Sequence, residues 1–151
     1  MKVLFVCTGN TCRSCMAEVI FNQMSNLDNI EAYSAGIAVV QESKTSKYTA
    51  ALIEDNFKIN ISNRKAIQFT KEMLEENDLI LTMTSYIRNV LSENFPKYKN
   101  KIYTLNEYIE LKEDINDPYG GDAEVYKKTF NMLKKSIELL LGKIREDNGI
   151  V

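Results

Sequence analysis

Val3-Leu4-Phe5-Val6 is an unbroken apolar run, the pattern of a short strand buried on both faces. Residues 7–14 turn polar and contain Gly9, Asn10 and two threonines, which predicts a loop. Met16, Val19, Ile20 and Met24 then recur at three- and four-residue spacing, which predicts a helix. Strand, tight loop and helix in that order open a βα unit. A second strand is expected over 30–34, closed by Ala35-Gly36. Thr49, Leu52, Ile53 and Phe57 outline a helix starting near Thr45 or Ser46, and Leu74 belongs to a shorter one. Residues 78–82 read as another buried strand. Thr84 is the expected N-cap of a helix carrying Ile87, Val90 and Leu91 that stops before Pro96. A fourth strand is expected over 101–104. From about Asp122 a long helix carries Tyr126, Phe130, Leu133, Ile137, Leu140, Leu141 and Ile144 on one stripe, with Lys127, Lys128, Lys134, Lys135 and Glu138 off it. Such stripes are core faces with solvated backs. Strands alternating with helices imply an α/β fold, a parallel sheet covered on both faces, whose ligands bind beyond the carboxyl ends of the strands. The loop at Cys7 leaves such an end. No repeat, low-complexity segment or linker divides the chain, so one domain is expected over 1–151.

Composition narrows the function more than the fold. The chain has 151 residues, 44% hydrophobic and 26% charged, the balance of an ordinary globular domain. A net charge of −2 gives no support for a nucleic-acid partner. No apolar run approaches the roughly 18 residues of a membrane span. The apolar opening is too short for a signal peptide and is interrupted by Thr8-Gly9-Asn10, so a cytoplasmic protein is expected, acting as a monomer. Cys7, Cys12 and Cys15 crowd into nine residues and no cysteine follows, which is no framework of structural disulfides and points to chemistry. The chain has no histidine. That excludes Ser-His-Asp and Cys-His catalysis and any zinc site built on imidazole.

The chemistry-bearing segment is Cys7-Thr8-Gly9-Asn10-Thr11-Cys12-Arg13-Ser14, with five residues between cysteine and arginine. A loop of this length can curl so that successive backbone N–H groups point inward as an anion nest. The helix starting near Ser14 adds the positive end of its dipole. Arg13 closes the ring with a planar fork suited to two phosphate oxygens. Gly9 and Asn10 tolerate the positive φ that such a loop often requires. The same donors favour thiolate over thiol at Cys7, and the Ser14 hydroxyl can donate to its sulfur. A thiolate at the floor of an anion cradle is placed for in-line attack on phosphorus, where the developing charge meets donors already aimed at it.

Other readings of these residues compete. C-x5-R alone arises by chance, but here it lies between a buried strand and a helix. The nucleotide cradle G-x-x-x-x-G-K-[ST] is absent. Cys12-Arg13-Ser14-Cys15 matches C-x-x-C, yet it overlaps the phosphate loop, and no further soft ligand supports a metal; no metal or cofactor is expected. Ester cleavage also needs a proton donor. Asn116-Asp-Pro-Tyr-Gly-Gly121 forms a rigid exposed turn in which Asp117 is a candidate acid, and local sequence alone leaves it equally a turn initiator.

The two motifs together resemble the low-molecular-weight protein phosphatase family, with C-x5-R-S near the start and a late Asp-Pro-aromatic turn. The likeness spans essentially the whole chain, including Ser34-Ala-Gly36. It implies a four-stranded parallel sheet flanked by helices, of flavodoxin-like type, acting on phosphorylated protein substrates. In family terms Cys7 becomes phosphorylated, Arg13 binds the phosphoryl group, and Asp117 protonates the leaving group and then activates water. Asn10 resembles the loop-ordering residue and Ser14 the thiolate partner. Thr8, Gly9, Asn10, Thr11, Cys12, Arg13 and Ser14 together form the phosphate loop. Cys12 resembles the family's second cysteine, which implies a reversible Cys7–Cys12 disulfide that protects the nucleophile.

Finer features point to substrate. Members acting on phosphotyrosine commonly carry a larger aliphatic residue where Thr11 stands. The present loop, with Asp-Pro-[Phe/Tyr]-Gly-Gly downstream, is similar to the bacterial protein-arginine phosphatase branch, which implies a phosphoarginine preference, with phosphotyrosine as the alternative. Residues 38–41 lack the aromatic that often walls the cleft, leaving Tyr119 as the expected aromatic wall. Cys15 replaces the usual proline and puts a further thiol near a helix N-terminus, where thiolate is favoured. Arsenate reductases of the same fold need further redox cysteines downstream, and none follows Cys15. A non-catalytic phosphoprotein-binding module would need neither Asp117 nor an activated Cys7.

Overall fold

The central strand β1 (Lys2–Cys7) pairs in parallel with β2 (Glu31–Gly36) on one side and β3 (Leu79–Thr82) on the other. β4 (Ile102–Thr104) joins the far side of β3, giving the all-parallel order β2-β1-β3-β4. The computed structural model describes residues 1–148. Its helices are α1 (Arg13–Met24), α2 (Lys47–Phe57), α3 (Lys71–Glu76), α4 (Ser85–Asn94), α5 (Leu105–Tyr108) and α6 (Ala123–Asp147). A 3-10 turn, Pro96–Lys101, precedes β4.

Alternation along the strands sorts the core into two layers. Val3, Phe5, Leu79 and Leu81 face α1, α2 and α6, where they meet Met16, Ile20, Ile53, Leu133 and Ile137. Leu4, Val6, Ile80 and Ile102 face α3 and α4, packing on Leu74, Ile87 and Leu91. Both faces are therefore covered, as the unbroken apolar run in β1 requires. All seven stripe residues of α6 are buried, and the four lysines and Glu138 off the stripe are exposed. Ser46, Thr84 and Asp122 each cap a helix, accepting from the N–H of Thr49, Ile87 and Val125 respectively.

Chain direction across the sheet reverses at β1: α1 leads outward to β2, and the chain then returns past β1 to β3. The carboxyl ends of β1 and β3 flank this switch point, and Cys7 is the last residue of β1.

Two features differ from the sequence pattern. β2 runs on through Ala35 and Gly36, because the ladder with β1 continues to Cys7 opposite Gly36 through backbone alone. The short α5 was not foreseen, although Thr104 and Glu107 form a reciprocal capping box that its T-x-x-E spacing spells out.

Leu133 is fully buried where α6 packs against the β1 side of the core. Leu133→Ala is expected to cost about 2–5 kcal/mol in urea denaturation, with the slope against urea unchanged.

Candidate active site

Residues 8–12 bridge β1 and α1, and their path is set by what they touch. Cys7 O accepts from Ile37 N and Thr8 O from Ala38 N, so the chain leaving β2 holds the start of the loop. Gly36 makes this approach possible: a Cβ there would lie 2.6 Å from Thr8 O and 2.9 Å from Asn10 N. Farther along, Thr11 O accepts from Ser46 N. Asn10 adopts the left-handed region, with φ at 57°. Gly9 does not; of the two residues expected to supply positive φ, only the asparagine does so.

At the floor, Asn10 N–H donates to Cys7 Sγ at 3.2 Å, and Ser14 Oγ lies 2.8 Å from the same sulfur. The direction of the second bond follows from its neighbours. Asn10 Oδ1 accepts from Ile67 N at 2.9 Å and Arg64 Nη1 at 3.1 Å, which turns Asn10 Nδ2 toward Ser14 Oγ at 2.8 Å and Ser34 Oγ at 3.0 Å. Ser14 Oγ thus accepts from Asn10 and has its own proton free for Cys7. Cys12, the N-cap of α1, makes no side-chain cap, so no side chain of that residue competes for the first amides of the helix.

Arg13 is buried, with Nη1 donating to Ile115 O at 2.9 Å and Nη2 3.6 Å from Asp117 Oδ2. Asp117 is half exposed and accepts from Tyr119 N at 3.0 Å, so it both initiates the turn and stands beside the guanidinium. The turn is tied to the sheet: Ile115 N donates to Met83 O, and Met83 N to Val6 O. Over this floor lies a cleft of about 450 Å³ lined by Cys7, Thr8, Gly9, Asn10, Thr11, Cys12, Arg13, Ala38, Val40, Ser43, Asp117 and Tyr119. Of the residues assigned to the site from the sequence, Ser14 does not line the cleft; it lies fully buried beneath it.

The three thiols are free and buried but differ in setting. Cys12 Sγ lies 3.6 Å from Tyr126 Oη and 3.4 Å from Ser46 Oγ. Burial, with the bond to Cys12 second, pushes the Tyr126 hydroxyl up to about 12. Cys15 corrects an expectation: a thiol at the first turn of a helix was read as favouring thiolate. It is wholly buried against Thr45, and burial pushes it up to about 11, outweighing the pull of Arg64 and the bond to Thr45.

Arg64, Glu18 and the N–H of Ile67 were not foreseen. Arg64 and Ile67 lie in an aperiodic stretch that gives no local signal, and their importance arises from distant contacts, above all with Asn10 more than 50 residues away.

A cysteine at the floor of a strand–loop–helix anion cradle, at the switch point of a parallel sheet, marks the cysteine-dependent phosphatases, and that is the class of this enzyme. Residues 2–149 match the family described as low molecular weight phosphotyrosine protein phosphatase, and the chain belongs to that family. A protein-arginine-phosphatase of Bacillus subtilis is 34% identical over 151 residues, covering 97% of this chain and 99% of the relative. The low molecular weight protein-tyrosine-phosphatase PtpB of Staphylococcus aureus is 39% identical over 133 residues, covering 88% and 91%. Among solved structures, a mutant of the arginine phosphatase YwlE carrying a phosphorylated active-site serine superposes with a TM-score of 0.90 at 30% identity, each chain covered in full. Among the described residues no helix is long and apolar enough to cross a membrane.

Gly36→Ala is expected to force the β2 end away from the loop backbone. The expected result is a loss of about 1–3 kcal/mol in chemical denaturation, together with reduced turnover.

Proposed function

We propose that the protein removes phosphoryl groups from protein side chains through a phosphocysteine on Cys7, with phosphoarginine as its preferred substrate. The observation that carries this reading is the floor of the cleft, where Ser14 and the Asn10 amide both address the Cys7 sulfur and Arg13 stands beside Asp117. Arg13, with the backbone of the loop that lines the cleft over residues 8–12, receives the phosphoryl oxygens. The Cys7 thiolate attacks phosphorus in line, the P–N bond of phosphoarginine breaks, and Asp117 delivers a proton to the departing guanidine nitrogen. A water then attacks the phosphocysteine while Asp117 takes its proton. The S–P bond breaks, and phosphate leaves with the thiolate restored.

Thr11 and Asp117 support the preference for arginine. Among the described residues Thr11 Oγ1, on the cleft wall, makes only a long contact of 3.7 Å to Cys12 Sγ, so it retains capacity to accept from a substrate N–H. Asp117, at the rim, can accept from a substrate N–H through the carboxyl oxygen that does not carry its proton. The arginine phosphatase of B. subtilis is a relative over nearly its whole length. A phosphotyrosine reading draws on the S. aureus relative and on the apolar rim of Val40 and Tyr119, which suits a phenyl ring. In either case the partners are phosphorylated proteins, met in the cytoplasm by a chain acting as a monomer. The charged, solvated back of α6 supports the monomer.

Cys7→Ser is expected to abolish turnover, and Asp117→Asn to lower kcat by about 10²–10⁴-fold, read as phosphate release. Tight phosphopeptide binding with no turnover in the unaltered chain would defeat the enzymatic reading in favour of a binding module, and turnover retained in Cys7→Ser would remove Cys7 as the nucleophile. Rates on matched phosphoarginine and phosphotyrosine peptides are expected to favour the former. Thr11→Ile is expected to shift that ratio toward phosphotyrosine by about tenfold or more, the size of one lost polar contact. Equal turnover of both peptides, unmoved by Thr11→Ile, would refute the preference.

A further inference from the structure

Arg64 lies outside the loop that carries the chemistry, yet its guanidinium reaches three oxygens beneath it. Nη1 donates to Asn10 Oδ1 at 3.1 Å, and Nη2 donates to Ser34 Oγ at 2.9 Å and pairs with Glu18 Oε1 at 3.3 Å. Both members of the pair are largely shielded, at 17% and 20% side-chain exposure. The backbone around Arg64 is fastened to the cleft wall, since Thr45 N donates to Arg64 O and Ala66 N to Ser43 O.

These bonds have one self-consistent direction. A side-chain amide has an accepting end and a donating end, and Arg64 offers only donors. Facing Arg64 Nη1 and Ile67 N–H, Asn10 must present Oδ1 to them and Nδ2 to Ser14 and Ser34. If the amide turned over, two donors would face Nδ2. Oδ1 would then face the serines and draw the Ser14 proton away from Cys7. Ser34 passes its own proton to Glu18 Oε1 at 2.9 Å, so the carboxylate closes the relay and balances the guanidinium.

We infer that Arg64 is a positioning residue for phosphoryl transfer, acting through Asn10 and Ser14 to keep a hydrogen-bond donor on the Cys7 sulfur. The inference rests on Cys7 being the nucleophile, as proposed above. It requires arginine and not simply positive charge, because two nitrogens of one plane address Asn10 and Ser34 together, which the point charge of lysine does not reproduce. Ile67 N–H persists when Arg64 is removed, which makes the expected loss partial.

The test is a double-mutant cycle of Arg64→Met and Asn10→Ala, with p-nitrophenyl phosphate as substrate and thermal unfolding followed in parallel. In the wild-type background Arg64→Met is expected to lower kcat about tenfold with KM little changed. In the Asn10→Ala background it is expected to cost less than about twofold, because the residue it acts through is already gone. Arg64→Lys, which keeps a cation near Glu18, is expected to stay near the Met variant, and it takes the place of Met in the cycle if the latter does not fold. Equal losses in both backgrounds, an unchanged kcat, or full rescue by lysine would each overturn the role. Cys7→Ser separates this failure from failure of the parent reading: turnover surviving in that variant removes the nucleophile itself, whereas an inactive Cys7→Ser beside an additive cycle removes only Arg64.

Discussion

Asn10 is wholly buried, held in the left-handed region, and its side-chain amide has four partners to satisfy at once. Leaving any one buried polar group without a partner costs about 1–3 kcal/mol, so the amide has effectively one arrangement. That arrangement joins parts of the chain that share no secondary structure: the phosphate loop, the second strand through Ser34, and the stretch from Arg64 to Ile67. The loop is therefore not an independent motif resting on a scaffold. Its shape is a solution to the hydrogen bonding of a residue that it encloses.

The sheet supplies the second constraint. The cradle stands where chain direction reverses, between the ends of β1 and β3, and is sealed from one side by the backbone that follows β2. Gly36 lets that backbone come within contact of Thr8 and Asn10. From the other side, a ladder of main-chain bonds runs from Val6 through Met83 to Ile115, whose carbonyl holds Arg13. Cys7 and the Arg13 guanidinium are thus both referred to the central strand. The absence of histidine is consistent with this design, since the sulfur is addressed by a backbone amide and a hydroxyl whose direction is fixed by geometry.

How legible this was from sequence depended on the range of each interaction. The β1–loop–α1 unit, the stripe on α6 and the cap at Thr84 rest on neighbours within a few residues, and the pattern of the chain displays them. The C-x5-R-S spacing is local for the same reason. Asp117 needed the family likeness, because an aspartate before proline at a turn looks the same whether or not an arginine stands beside it. Arg64 and Glu18 are polar residues whose partners lie 54 and 16 positions away, at Asn10 and Ser34, and nothing in their surroundings marks them. Cys15 was misread for a related reason. Proximity to a helix terminus is visible in sequence, but complete burial is a property of the packed molecule, and burial dominates the ionisation of a thiol.

Asp117 and Tyr119 are carried on a turn that runs directly into the cap of α6, while Cys7 ends β1 and the amide on its sulfur belongs to the loop between β1 and α1. The rim of the cleft and its floor are therefore built from opposite ends of the chain. Exposed Tyr119, Val40 and Ala38 can change without disturbing the buried network under the sulfur. A lineage using this fold can thus change what the cleft admits by a few surface substitutions at the rim. An engineer can follow the same route, diversifying the rim as a library while the buried floor is left untouched.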